Sequence, residues 1–179
     1  EDYDSVTYYA SKALEIFPNQ GRLWFMEGLG HYSKTDFESA RKSLEMAEKY
    51  TVDKTAMRGD ILSTLGDTYN SLELHDKSDK AYEEALDIDP NNEHVLNNYS
   101  YFLSIREERL EEAEEMCEKL MRIAPENSTY LDTYAWVLYK LEKYDKALES
   151  IEKAVIGSES GVVHEHYGDI LYKLNRKEE

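Results

Sequence analysis

The chain is short of the residues that punctuate or staple a fold. Its single cysteine, Cys117, excludes an internal disulfide and leaves the compartment unmarked. Three prolines and eight glycines in 179 residues are too few for a sheet-rich chain with many turns, so the composition leans helical. No apolar run approaches the ~18 residues of a membrane span. The longest, Tyr134–Tyr139, is six. Basic residues are scarce, with 21 Lys and Arg against 38 Asp and Glu. The resulting net charge of −17 repels phosphate backbones and anionic bilayers, which argues against a nucleic-acid partner and against direct membrane insertion. Apolar residues at 41% and charged residues at 33% provide for a core and argue against wholesale disorder. The length fits one compact domain or one short repeat array. The opening Glu1-Asp2-Tyr3-Asp4, without Met or a basic-then-apolar leader, does not distinguish a removed signal peptide from none.

Within that sparse punctuation one pattern recurs. Similar segments lead into each proline: Ala13-Leu14-Glu15-Ile16-Phe17-Pro18, Ala85-Leu86-Asp87-Ile88-Asp89-Pro90 and Leu120-Met121-Arg122-Ile123-Ala124-Pro125. Pro90 and Pro125 are 35 residues apart and Pro18 and Pro90 are 72 apart, a period of 34 to 36 with one proline missing. Ala40, Ala113 and Ala147 form a second ladder, followed seven residues on by Ala47, Leu120 and Ala154. A third sets a small residue among large ones at Gly28, Gly66, Ser100, Ala135 and Gly168, spaced 38, 34, 35 and 33. The small residues let a neighbouring helix come close, and Trp24, Leu44, Leu62, Tyr69, Tyr82, Leu103, Leu131, Leu138 and Ile151 fill the space beside them. The periodicity predicts A helices over 21–34, 55–72, 92–105, 128–141 and 160–174. B helices are predicted over 2–16, 36–51, 76–88, 109–123 and 143–156. The wide first spacing places about one extra turn near Tyr50–Arg58, and the surplus residue of the third places a turn insertion near Arg106–Arg109.

These residues resemble the tetratricopeptide repeat family, a helix-turn-helix unit. Ile61–Asn92 carries the signature most fully, with Leu62, Leu65, Gly66, Tyr69, Tyr82, Ala85 and Pro90; it departs at Ser78, usually Ala, and at His75, usually aromatic. The resemblance covers essentially the whole chain. It implies an all-α fold, a right-handed superhelical solenoid of antiparallel helix pairs. The repeats would divide as a half repeat over 1–20, full repeats over 21–58, 59–92, 93–126 and 127–160, and a half repeat over 161–179. Both terminal helices would then lack partners, leaving Tyr3, Val6, Ala10 and Ala13 at one end and Tyr167, Leu171 and Leu174 at the other partly exposed. That arrangement is expected of an excerpt from a longer array, or of a homo-oligomer stacking end to end.

Candidate chemistry is thin. His164 and His166 lie two apart on a predicted helix, about 200° around it, and cannot grip one ion. No histidine pair stands at i and i+4, and there is no nucleophile elbow and no Gly-rich phosphate loop. No catalytic residue, metal or cofactor is expected. Cys117 falls at a core phase and is read as an inert buried thiol. Seven glutamates between Glu107 and Glu118 read as a solvated outer face, with an acidic docking surface as the alternative.

In the family the resemblance points to, the inner wall is lined by the A helices. By phase, that wall would hold Phe25, Asp67, Asn97, Asn98, Tyr101, Asp132, Trp136, Tyr139, Glu165, Asp169 and Tyr172. Relatives that clamp the acidic C-termini of heat-shock chaperones carry Lys, Asn and Arg at the second, fifth, sixth and ninth repeat positions, whereas here Arg22 is the only base at those places, so such a clamp is not expected. An acidic groove equally argues against the RNA-binding relatives. The wall implies a non-enzymatic scaffold that takes a basic or extended protein segment: aromatics as anchors, amides for its backbone, carboxylates for its cations. Packing of Trp136 and some tyrosines between helices is the competing use of the same residues. Self-assembly through the terminal helices, or service as an accessory part of a larger enzyme, are the alternative functions. The stretches Leu131–Lys140 and Ser160–Asp169 are similar to repeat regions of bacterial envelope-associated proteins, which points to the cell envelope and leaves a cytoplasmic adaptor open.

Overall fold

The computed structural model describes residues 3–53, 55–156 and 158–176, and among these the chain forms ten helices and no strand. In order they are α1 (Tyr3–Ile16), α2 (Gly21–Ser33), α3 (Phe37–Lys49), α4 (Ala56–Ser71) and α5 (His75–Ile88). There follow α6 (Glu93–Arg106), α7 (Leu110–Ile123), α8 (Ser128–Lys140), α9 (Tyr144–Ile156) and α10 (Gly161–Lys173). Asp2, the expected first residue of the opening helix, lies outside the described residues, as does Lys54 within the expected insertion.

Local chemistry accounts for the ends. Asp36 accepts from the Ser39 N–H at 3.2 Å, Thr55 from Arg58 at 3.3 Å and Asn92 from Val95 at 3.1 Å. Asn127 accepts from both Thr129 and Tyr130, at 3.0 and 3.3 Å. Each bond satisfies an amide that a helix start leaves unpaired. Pro18, Pro90 and Pro125 sit in the turns that follow α1, α5 and α7, where a helix cannot continue. The A-to-B turns share one device, a left-handed residue closing the helix: Thr35, Glu73, Glu107, Glu142 and Asn175, with φ between 56° and 59°. The residue after it donates back across the turn, as Leu74 does to the Tyr69 carbonyl at 2.9 Å.

Both spacing anomalies have a location. α4 is 16 residues long and begins ten residues before Gly66, whereas the other A helices begin seven before their small residue. The extra turn thus extends the start of α4, and the loop before it, 50–55, is also longer than its counterparts. The surplus residue near Arg106 lies in the α6–α7 turn, where Arg109 adds a second left-handed residue at φ 48°.

The chain divides into two compact units, the first ending at Val95 and the second beginning at Leu96. In the first, α1 packs on α2, α2 on α3, α3 on α4 and α4 on α5, around Leu44, Ala47, Ile61 and Leu65. In the second, α7 packs on α8, α8 on α9 and α9 on α10, around Leu138, Ala147, Ile151 and Ile170. Size is exchanged across the α2/α3 and α4/α5 pairs. A Cβ on Gly66 would come within 2.4 Å of the Tyr82 ring, and one on Gly28 within 2.7 Å of Leu44. Ser100 instead faces the small Cys117 at 3.3 Å. The space that each small residue leaves is filled to close packing by its neighbour. Gly168 behaves differently, since nothing lies within 4 Å of its would-be Cβ. Of the expected exposed residues at α1, Tyr3 and Val6 are exposed, but Ala10 is buried against its neighbour; Tyr8, Tyr9, Ile16 and Phe17 are exposed instead.

Candidate functional site

The expected wall residues meet different fates. In the first unit Phe25 is half-buried and lines a shallow apolar cavity of about 450 Å³ with Arg22, Met26, Leu29 and Met57. Asp67 is withdrawn into the interior, 6% exposed. Its Oδ1 accepts from the Tyr82 hydroxyl at 2.5 Å and its Oδ2 meets His94 Nε2 at 2.8 Å. Burial, then the Asp67 charge, holds the Tyr82 phenol protonated far above its ordinary range. His94 is pushed up chiefly by its bond to Asp67, with burial opposing. Asp67 thus ties α4, α5 and the start of α6 together, and its phase alone did not reveal this. The signal lay at Tyr82, which stands where the other B helices carry Leu44, Cys117 and Ile151.

In the second unit the A helices bring several of the named residues around one hollow. Asn97 and Tyr101 from α6, Thr129, Asp132 and Thr133 from α8, and Ser158, Ser160, Val162 and Val163 at the start of α10 line a cavity of about 250 Å³. Asn97 donates from Nδ2 to Asn98 Oδ1 at 3.1 Å, while its own Oδ1 is buried without a hydrogen-bond partner. Asp132 is half-buried and its Oδ1 accepts from His166 Nδ1 at 2.9 Å. The Tyr101 phenol is raised above its ordinary value by burial first, then by the charges of Asp132 and Glu165. Glu165, Asp169 and Tyr172 lie exposed on α10, Tyr172 at 62%.

Trp136 and Tyr139 lie outside that cavity and form a stack. Their rings are parallel within 6° with centroids 4.8 Å apart, and Trp136 stacks again on His166 at 4.0 Å and 16°. The Lys140 ammonium lies 5.1 Å from the Trp136 centroid and Lys173 lies 5.9 Å from that of Tyr139. Trp136 therefore packs α8 on α10 and stacks on the His166 ring that meets Asp132. Ser158 and Ser160 escaped the sequence reading because turn and cap residues carry no helical phase.

The glutamate run of the second unit is largely ion-paired: Glu107 with Lys140 at 2.8 Å, Glu108 with Arg106 at 2.9 Å, Glu112 with Arg109 and Glu114 with Lys143. Cys117 is fully buried and its thiol is pushed up to about 12 by burial. Among the described residues no three His, Cys, Asp or Glu side chains converge to hold a metal ion, and no helix is long and apolar enough to cross a membrane.

Successive packed helix pairs, with small residues set against large ones at several interfaces, define a helical-repeat fold. Two family models match: Tetratricopeptide repeat over residues 59–92, and Anaphase-promoting complex, cyclosome, subunit 3 over residues 107–179. A TPR repeat-containing protein of Methanocaldococcus jannaschii is 26% identical over 99% of this chain and 40% of its own length. Protein O-mannosyl-transferase TMTC3 of Homo sapiens is 25% identical over 86% of this chain and 18% of its own. The chain thus spans two fifths or less of the curated relatives it matches. Among solved structures, YrrB, described as a TPR protein with an unusual peptide-binding site, aligns with a TM-score of 0.77 at 18% identity, covering 94% of this chain and 84% of that one. Pseudomonas aeruginosa pilF aligns with a TM-score of 0.73 at 26% identity, covering 87% of this chain and 69% of that one.

Proposed function

We propose that the chain is a non-enzymatic scaffold that holds an extended, basic segment of a partner protein along the A helices of its second unit, with repeats divided at 21, 59, 93, 127 and 161. The observation that carries this reading is the hollow between α6, α8 and α10, which the Asn97 amide, the Asp132 carboxylate and the half-buried Tyr101 phenol line together. Asn97, Asn98, Tyr101, Asp132, Glu165, Asp169 and Tyr172 form the binding wall, with Trp136 and Tyr139 as its packed support; Phe25 contributes a separate apolar patch in the first unit, and Asp67 a structural tie. The net charge of −17 speeds encounter with a cationic segment and makes binding fall as salt rises. The likeness in fold to a protein described as having a peptide-binding site supports an extended ligand.

A displayed library of random peptides tests this. The chain is expected to enrich Lys- and Arg-containing sequences, and Tyr101→Ala/Asp132→Ala is expected to lose them. Identical enrichment by both baits removes the wall from the account. A second reading, association of copies through α1, rests on exposed Tyr8, Tyr9, Ile16 and Phe17. It predicts a mass that rises with concentration and falls back on Tyr9→Glu.

A further inference from the structure

We propose that the hollow of the second unit is a subsite for one basic side chain, lysine or arginine, of the bound segment. It rests on the binding wall just described and gives that wall a specific recognition element. Its size is the first argument. At about 250 Å³ it falls below the ~300 Å³ at which small-molecule sites usually begin, and suits one side chain rather than a whole ligand.

The polar inventory is the second. The Asn97 amide spends a donor on Asn98 and leaves Oδ1 buried and unpaired. That orphaned acceptor costs free energy in the unbound protein. Asp132 has Oδ1 occupied by His166, and its second oxygen remains for a ligand. Thr133, 4% exposed, and Tyr101 add hydroxyls at the lining. The set is rich in acceptors and carries a full negative charge, so its complement is a cation with several N–H groups. A guanidinium offers five such donors and an ammonium three, so arginine satisfies more of the lining than lysine does.

The start of α10 carries a positive helix-end charge and would by itself repel a cation. It amounts to roughly half a unit, against the full charge of Asp132 with Glu165 close enough to act on Tyr101. Ser160 makes no capping hydrogen bond there, so the first-turn amides stay open to a carbonyl. The hollow thus has donors at its α10 rim and acceptors on its α6 and α8 walls. One basic residue of an extended peptide presents the matching pair, a backbone carbonyl and a cationic side chain.

The test uses single blocked residues on the whole chain: N-acetyl amides of arginine, lysine, citrulline and norleucine, followed by NMR at the Asn97 side-chain amide and the Thr133 methyl. Citrulline keeps arginine's shape and removes its charge. Arginine and lysine are expected to bind at least tenfold more tightly than citrulline or norleucine. Asp132→Asn, which keeps an acceptor for His166, is expected to erase that ratio, and Thr133→Val to lower arginine affinity severalfold. Equal binding of arginine and citrulline overturns the proposal without any variant having to fold. So does a ratio untouched by Asp132→Asn, or shifts confined to Glu107–Glu118. Library enrichment lost in Tyr101→Ala/Asp132→Ala alongside equal arginine and citrulline binding would remove the subsite and leave the wider wall standing.

Discussion

Asp67 and Asp132 carry the same group on the same class of helix, and each meets a histidine borne by a different helix. Their surroundings give them different work. Asp67 has both oxygens engaged, by Tyr82 and by His94, and is 6% exposed. Asp132 has one oxygen engaged, by His166, and lines an open hollow. A carboxylate whose valences are filled inside the fold holds helices together, whereas one with a spare oxygen beside a cavity is available to a ligand. Position on an A helix, taken alone, does not separate the two.

The largest effect that would sharpen the contrast is on stability. Asp67→Ala strands a fully buried tyrosine hydroxyl and removes the partner of His94, and is expected to cost about 3 kcal/mol in urea unfolding. Asp132→Ala leaves only His166 without its acceptor and is expected to cost about 1 kcal/mol. Equal losses at the two positions would dissolve the distinction.

The next contrast is one of opposite sign. Gly66→Ala drives a methyl against the Tyr82 ring, which is fully buried and cannot swing aside. Overpacking of this kind costs roughly 1–3 kcal/mol, more than the gain of about 1 kcal/mol that alanine brings to a helix interior. Gly168→Ala meets nothing within 4 Å and keeps that gain. Thermal unfolding should move down for the first and up for the second. A downward shift at both would mean that another surface packs on Gly168.

Much of the fold was legible in the sequence because repetition averages out local ambiguity. Five small residues in one phase located the A helices. The extra turn near Tyr50–Arg58 was visible as a spacing, but whether it lengthened α3 or α4 depended on packing that spacing does not encode. The wall was legible only as a set of phases. Phase says which way a Cα faces, and it does not say that Tyr82 reaches Asp67, or that Trp136 lies stacked between neighbours. Those outcomes follow from side-chain length and from the residue opposite, which one repeat does not share with the next.

The smallest expected effect concerns pH, at the bond between Asp67 and His94. The bond to Asp67 raises the His94 pKa above its ordinary value near 6.5, so the charged pair stabilises the fold. A raised folded value means the contribution is fully present below ~6.5 and is lost as pH climbs through the folded value. The His94 side chain is 56% exposed, and solvent screening holds the effect below about 1 kcal/mol. The observable is the difference between wild type and His94→Gln across pH 5.5 to about 8.5, which cancels the other histidines. It should shrink as pH rises, leaving a residue from the neutral imidazole's own hydrogen bond. In an Asp67→Asn background that decline should vanish and turn into a slight rise, because burial alone then acts on the ring. A difference that grows with pH would mean that burial, rather than Asp67, governs His94, and the closed carboxylate of the first unit would lose its ionic partner.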